Sequence, residues 1–206
     1  MKRLISIVVI AGMLLGGCAS SGQAMNPETR AKLGMVHVDD TVTKPEKMYW
    51  LGKGGLLFAA GAIGGAIAAE QNKAPGEQFK DFAEQHGVLI DNIVREEALA
   101  AFRQAGKIQL DDNAAPNDAK LSIQITQYGF SIPTGFSSQV VPILRVKCTM
   151  ADASGNVIWE AGDGLLPLGN PVEGKLPDDL TKDPQLIEAA WRAAAKAVMG
   201  NIAAKL

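Results

Sequence analysis

Catalysis near neutral pH usually recruits a histidine, a reactive thiol or a carboxylate set beside a partner. The 206-residue chain holds two histidines and two cysteines. His37 and His86 stand in different segments, and neither has a second histidine or a cysteine at metal-ligand spacing. No Cys-x-x-Cys pair and no Gly-x-Ser-x-Gly nucleophile elbow occurs. Residues 169–175, Gly-Asn-Pro-Val-Glu-Gly-Lys, match most of a phosphate-binding loop, but Leu176 stands where the metal-binding Ser or Thr belongs and Pro177 follows where a helix should run. The acidic pairs Asp39-Asp40, Asp111-Asp112 and Asp178-Asp179 fall in predicted turns, where water solvates them. A carboxylate-only hydrolase or a weak calcium site is the most they would support. Cys148 sits in an alternating apolar pattern and reads as a small core residue. These residues predict a non-enzymatic protein that needs no metal or cofactor. Cys18 is the residue with a different chemistry to offer.

Lys2 and Arg3 precede an apolar run of about a dozen residues, Leu4 to Leu15, the length of a secretory signal core and well short of the ~20 residues that span a bilayer. The run ends in Leu15-Gly16-Gly17-Cys18, which resembles the lipobox of bacterial lipoproteins: an aliphatic residue, two small ones and a cysteine. The resemblance implies cleavage after residue 17, a diacylglyceryl thioether on Cys18 and acylation of the new amine. Two or three acyl chains give stable membrane residence where one would be marginal. Ala19 and Ser20 follow, without the Asp of an inner-membrane retention signal, so the resemblance favours an outer-membrane anchor facing the periplasm. With Cys18 consumed, Cys148 has no partner for an intramolecular disulfide, and stability must come from packing. Loss of Lys2 and Arg3 leaves 18 basic against 22 acidic side chains, a formal charge of −4, which lacks the basic footprint of a nucleic-acid binder.

The elements that would hold these residues fall into zones. Residues 18–45 are polar and read as a lipidated tether with at most one edge strand, at Met35-Val36-His37-Val38. Residues 46–76 contain an uncharged run of Gly, Ala, Leu, Ile and Phe over residues 54–69. As a helix it places Gly61, Gly64, Gly65 and Ala68 on one small-residue face, with Gly61 and Gly65 at the spacing that lets membrane helices approach closely. About 16 residues at ~1.5 Å each give roughly 24 Å, short of the ~30 Å hydrocarbon layer. Tyr49, Trp50, Lys47 and Lys53 suggest an interfacial belt. The stretch resembles the glycine-zipper segments of some outer-membrane lipoproteins, which would imply homo-oligomers; burial against the domain is the other reading.

Residues 77–206 read as one α+β periplasmic domain. Phe79, Phe82 and Ala83 recur at helical spacing up to Gly87. Asp91 is placed to cap a second helix with the stripe Ile93, Val94, Ala98, Ala101, Phe102 and Ala105, closed by Gly106; its charges Arg95, Glu96, Glu97 and Arg103 read as a solvated face. A short strand at residues 107–110 precedes a polar turn. Leu121, Ile123 and Ile125 alternate, then the phase slips to Tyr128, Phe130 and Ile132, as a bulge near Gln127 would produce. Strands through Leu144, Val146, Cys148 and Met150, and through Val157, Trp159 and Ala161, form a hairpin about residues 152–156. Residues 162–182 read as a long ordered loop. Asp183 and Pro184 start a last helix striped by Ile187, Ala190, Trp191, Ala194, Val198 and Ile202.

This order predicts an antiparallel sheet of about four strands with helices packed on one face. Through Arg103-Gln104-Ala105-Gly106-Lys107, residues 119–128 and the turn Ser154-Gly155-Asn156-Val157, it is similar in outline to periplasmic lipoproteins that activate cell-wall synthases and to the curli secretion channel lipoprotein. Likeness of outline carries no function by itself. Phe130, Ile132, Phe136, Leu165, Leu166 and Leu168 fall in predicted loops, where apolar residues suggest contact with an envelope protein partner; the alternative is that these loops fold back over the core.

Overall fold

The computed structural model describes residues 21–51, 74–111, 113, 115 and 118–206. Cys18, the signal segment 1–17 and the small-residue face of Gly61, Gly64, Gly65 and Ala68 lie outside the described residues.

Strands β5 (Ala119–Ser131), β6 (Val141–Ala151) and β7 (Val157–Leu165) form the antiparallel meander that alternation predicts. Leu121, Ile123 and Ile125 are buried while Lys120, Ser122 and Gln124 face solvent. The register shifts between Ile125 and Gln127, where Thr126 is the extra residue, and Tyr128 and Phe130 enter the core beyond it. In the β6–β7 turn Asp152 accepts from the backbone N–H of Ser154 and of Asn156, both at 2.9 Å, which holds the carboxyl below its usual range.

The class is α+β, but the sheet holds seven strands among the described residues rather than four. The additions are β1 and β2, from residues 18–45 read as a tether with at most one edge strand, and β3, from the 46–76 zone that follows it. β1 (Ser21–Gly22) lies antiparallel on β7, and α1 (Pro27–Ala31) follows. β2 (Met35–Val38) is an interior strand, parallel to both β5 and the short edge strand β4 (Gln109–Asp111). β3 (Tyr49–Leu51) pairs parallel with the far end of β5. Between them Thr43 bridges Gln124, so residues 36–51 follow β5 from Ala119 to Ser131. Met25, Val36, Val38 and Met48 are all core residues. A flexible tether would leave the first three in water, at a cost of about 25 cal/mol per Å² of apolar surface.

α2 (Pro75–Gln85), α3 (Ile90–Ala105), α4 (Pro177–Leu180) and α5 (Pro184–Ala203) complete the chain. α5 lies on β6 and β7, and α3 lies along α5. The α5 stripe from Ile187 to Ile202 is buried throughout, and Asp183 caps the helix by accepting from the Gln185 N–H at 2.9 Å. Asp91 differs from expectation. It lies inside the first turn of α3 and makes no cap; its carboxylate meets Lys44 at 2.9 Å, tying α3 to the strand-following segment. The α3 charges are not simply solvated either. Arg192 on α5 reaches Glu96 at 2.9 Å, Glu97 at 3.1 Å and its own-helix neighbour Glu188 at 2.9 Å.

Candidate functional site

Four strand ends meet at one end of the sheet: the C-terminal ends of β3, β5 and β7 and the N-terminal end of β6. Their relative placement is fixed by backbone contacts. Ile132 N–H donates to the Leu51 carbonyl at 2.9 Å, Val140 and Lys175 exchange two backbone hydrogen bonds at 2.8 and 2.9 Å, and Asn170 Nδ2 donates to the Pro142 carbonyl at 2.7 Å. The connections 132–140 and 166–176 therefore stand side by side. The stretch 162–182, expected as one long ordered loop, is shorter than that: β7 runs on to Leu165, and α4 takes up part of the rest.

The six residues proposed as a contact surface separate here. Phe130 is fully buried in an aromatic cluster, 5.9 Å from Trp191 in a stacked arrangement and 5.3 Å from Phe79. Phe130 is expected both in the alternation Tyr128, Phe130, Ile132 and in a contact loop; β5 continues to Ser131, so the alternation holds for it and the loop does not. Gly129 is where β3 closes in: at φ +141° it has no side chain, and a Cβ there would fall 1.9 Å from the Tyr49 carbonyl oxygen. Ile132 and Leu165 are partly buried against the core, and Leu166 is half-buried. Phe136 and Leu168 remain, 98% and 77% exposed. Leu51, Tyr49 and Leu176 join them as exposed apolar residues at the same end, which the sequence reading missed because burial of their neighbours was not visible. Trp50 does not form an interfacial belt with Tyr49. It packs on Phe79 at 4.9 Å between ring centroids.

The opposite end is charged. His37, Asp39, Asp118, Lys120 and Asp152 line a cleft of about 530 Å³. Its carboxylates hold the fold together: Asp39 accepts from Ser122 Oγ at 2.6 Å and meets Lys120 at 2.9 Å, and Asp40 meets Arg95 at 2.8 Å. His37 Nδ1 lies 3.3 Å from the Asp111 carbonyl and His86 Nδ1 2.8 Å from that of Phe82. Among the described residues no three His, Cys, Asp or Glu side chains converge to hold a metal ion. Burial pushes the Cys148 thiol up to about 12, far from a reactive thiolate. In the phosphate-loop lookalike, Lys175 is paired with Glu173 at 2.6 Å, and the N–H groups of Val172 and Lys175 donate to Asn170 Oδ1 and the Val140 carbonyl rather than facing an anion.

Neither a family model nor a curated protein matches the chain. Among solved structures it is similar to the PelC dodecamer from Paraburkholderia phytofirmans, at 12% identity and a TM-score of 0.43 over 91% of this chain and 96% of that one. It is also similar to protein XCC0632 from Xanthomonas campestris, of the family DUF330, at 11% identity and a TM-score of 0.47 over 88% of this chain and 87% of that one.

Proposed function

We propose that the chain is a lipid-anchored lipoprotein of the bacterial outer membrane, facing the periplasm and acting without catalysis as a binding or accessory module for another envelope protein. The observation that carries this reading is the short reach from Cys18 to the sheet. The lipobox-like Leu15-Gly16-Gly17-Cys18 ends three residues before Ser21, where β1 begins. Acyl chains on Cys18 would thus hold the domain itself at the membrane surface. The engaged histidines, the high thiol pKa of Cys148 and the ion-paired Asp39 and Asp40 support a non-enzymatic role.

Expression of the full precursor in a Gram-negative host tests it. Wild type is expected in the outer-membrane fraction, and Cys18→Ser is expected to lose both the shift in size on maturation and that residence. Recovery of both proteins in the soluble fraction would refute the reading.

A second reading makes homo-oligomers through Gly61 and Gly65 the working form. It is favoured by the placement of the roots of the glycine-rich run. Leu51 ends β3, and Gly76 returns so close that a Cβ on it would lie 2.4 Å from the Met48 carbonyl oxygen. A segment that leaves and returns at one point can engage a partner copy without disturbing the sheet. Crosslinked oligomers that vanish with Gly65→Leu would select this reading.

A further inference from the structure

Taking lipid anchoring at Cys18 as given, we infer that the end of the sheet bearing Leu51, Phe136, Leu168 and Leu176 seats in the headgroup region of the membrane that holds the anchor. The direction of β1 carries this. Ser21 pairs with Gly162 and Gly22 with Ala161, antiparallel, so the chain traced backward from Ser21 heads along β7 toward Leu165 and Leu168. Three more residues reach Cys18 and span at most about 11 Å. The anchor is therefore delivered to the apolar end and kept from the charged cleft at the other.

The chemistry of that end fits a lipid interface. Residues 131–144 and 164–172 contain no charged side chain. Phe136 at 98% and Leu168 at 77% exposure project from adjoining connections, where water would disfavour them and the boundary between headgroups and acyl chains would accept them. Burying such tips ~5–10 Å deep needs no rearrangement of the fold, because neither side chain contributes to the core. The charged cleft then faces away from the bilayer, open to the periplasm.

The test uses the matured, lipidated protein reconstituted into vesicles of phosphatidylethanolamine and phosphatidylglycerol, with an environment-sensitive fluorophore on Phe136→Cys or, at the opposite end, on Val157→Cys. Cys148 is fully buried and Cys18 is acylated, so one thiol is labelled. The expected result is blue-shifted emission from position 136 that nitroxide on the acyl chains quenches, with position 157 unquenched. Leu168→Glu beside the position-136 label is expected to reduce that quenching. Protein that floats with the vesicles while both labels stay in water would overturn the seating and leave the anchor standing. Protein that does not float would overturn the anchor, and the inference with it. A shift at position 136 that follows protein density rather than lipid quencher would assign the surface to a second copy and overturn the lipid assignment.

Discussion

Ser21 pairs with Gly162 on the outer edge of β7, and the same Gly162 carbonyl accepts from Lys205 Nζ at 2.8 Å, so the start of the described chain and its C-terminal segment close on one point of the sheet. Met25 N–H donates to the Lys205 carbonyl at 2.8 Å, and Arg30 donates to the carbonyl of Leu206. Pairing with β7 and the ties of Met25 and Arg30 to the C-terminal residues thus hold the segment that begins with β1 in place. Gly22 makes the approach feasible: its φ is +89°, and a Cβ would fall 2.5 Å from the Glu160 carbonyl oxygen.

Gly22→Val is therefore expected to detach β1 while sparing the meander. Backbone strain and the lost pairing together cost about 1–3 kcal/mol. Hydrogen exchange checks this: the amides from Gly22 to Met25 should exchange faster, with those of β5 and β6 unchanged in order of protection.

Phe130 and Phe136 are six residues apart in sequence and opposite in environment, 0% and 98% exposed. Phe130→Ala opens a hole between Trp191 and Phe79 and should cost about 3–5 kcal/mol, whereas Phe136→Ser should stay within about 0.5 kcal/mol of wild type. Urea denaturation of the two variants measures the difference.

That contrast marks how much of the molecule was legible in the sequence. The meander, its bulge, the 152–156 turn and the buried α5 stripe follow from period-2 and period-3.6 patterns within continuous segments. β1 and β3 are not legible because strands of two or three residues are too short to show alternation, and β2, legible as an edge strand, is interior because its pairing with β5 and β4 lies far along the chain. The apolar end was half legible. Phe136 and Leu168 are exposed on loops, as expected of them, whereas Phe130, expected among the same loop residues, belongs to β5 and is fully buried.

Alkaline pH should unfold the protein through two buried acids. Burial first, then the charges of Glu84, Asp91 and Asp81, push Tyr128 up to about 12, and burial does the same for Cys148. Both groups have folded-state values above their unfolded ones. Their contribution is fully present below about pH 9 and is lost as pH rises toward 12, because the unfolded chain releases protons that the folded one retains. Stability measured at pH 8 and pH 11 should fall, and Tyr128→Phe should flatten that fall. At pH 7 the same variant should be neutral or stabilising, since the Tyr128 hydroxyl is buried without a hydrogen-bond partner among the described residues.

Asp163 is 4% exposed, accepts from Asn201 Nδ2 at 2.7 Å and leaves its other oxygen without a partner among the described residues. Asn201→Ala removes the donor and should cost about 1–3 kcal/mol, whereas the double variant Asp163→Leu with Asn201→Leu should recover much of that loss. Thermal melts of the two proteins provide the comparison.

The most direct test of lipid anchoring is the intact mass of the protein extracted from membranes after expression of the whole precursor. Anchoring predicts a chain that starts at Cys18, lacks residues 1–17 and carries a diacylglyceryl group with or without a further acyl chain, all lost in Cys18→Ser. A mature protein of unmodified mass, whether it begins at Met1 or at another residue, would contradict it.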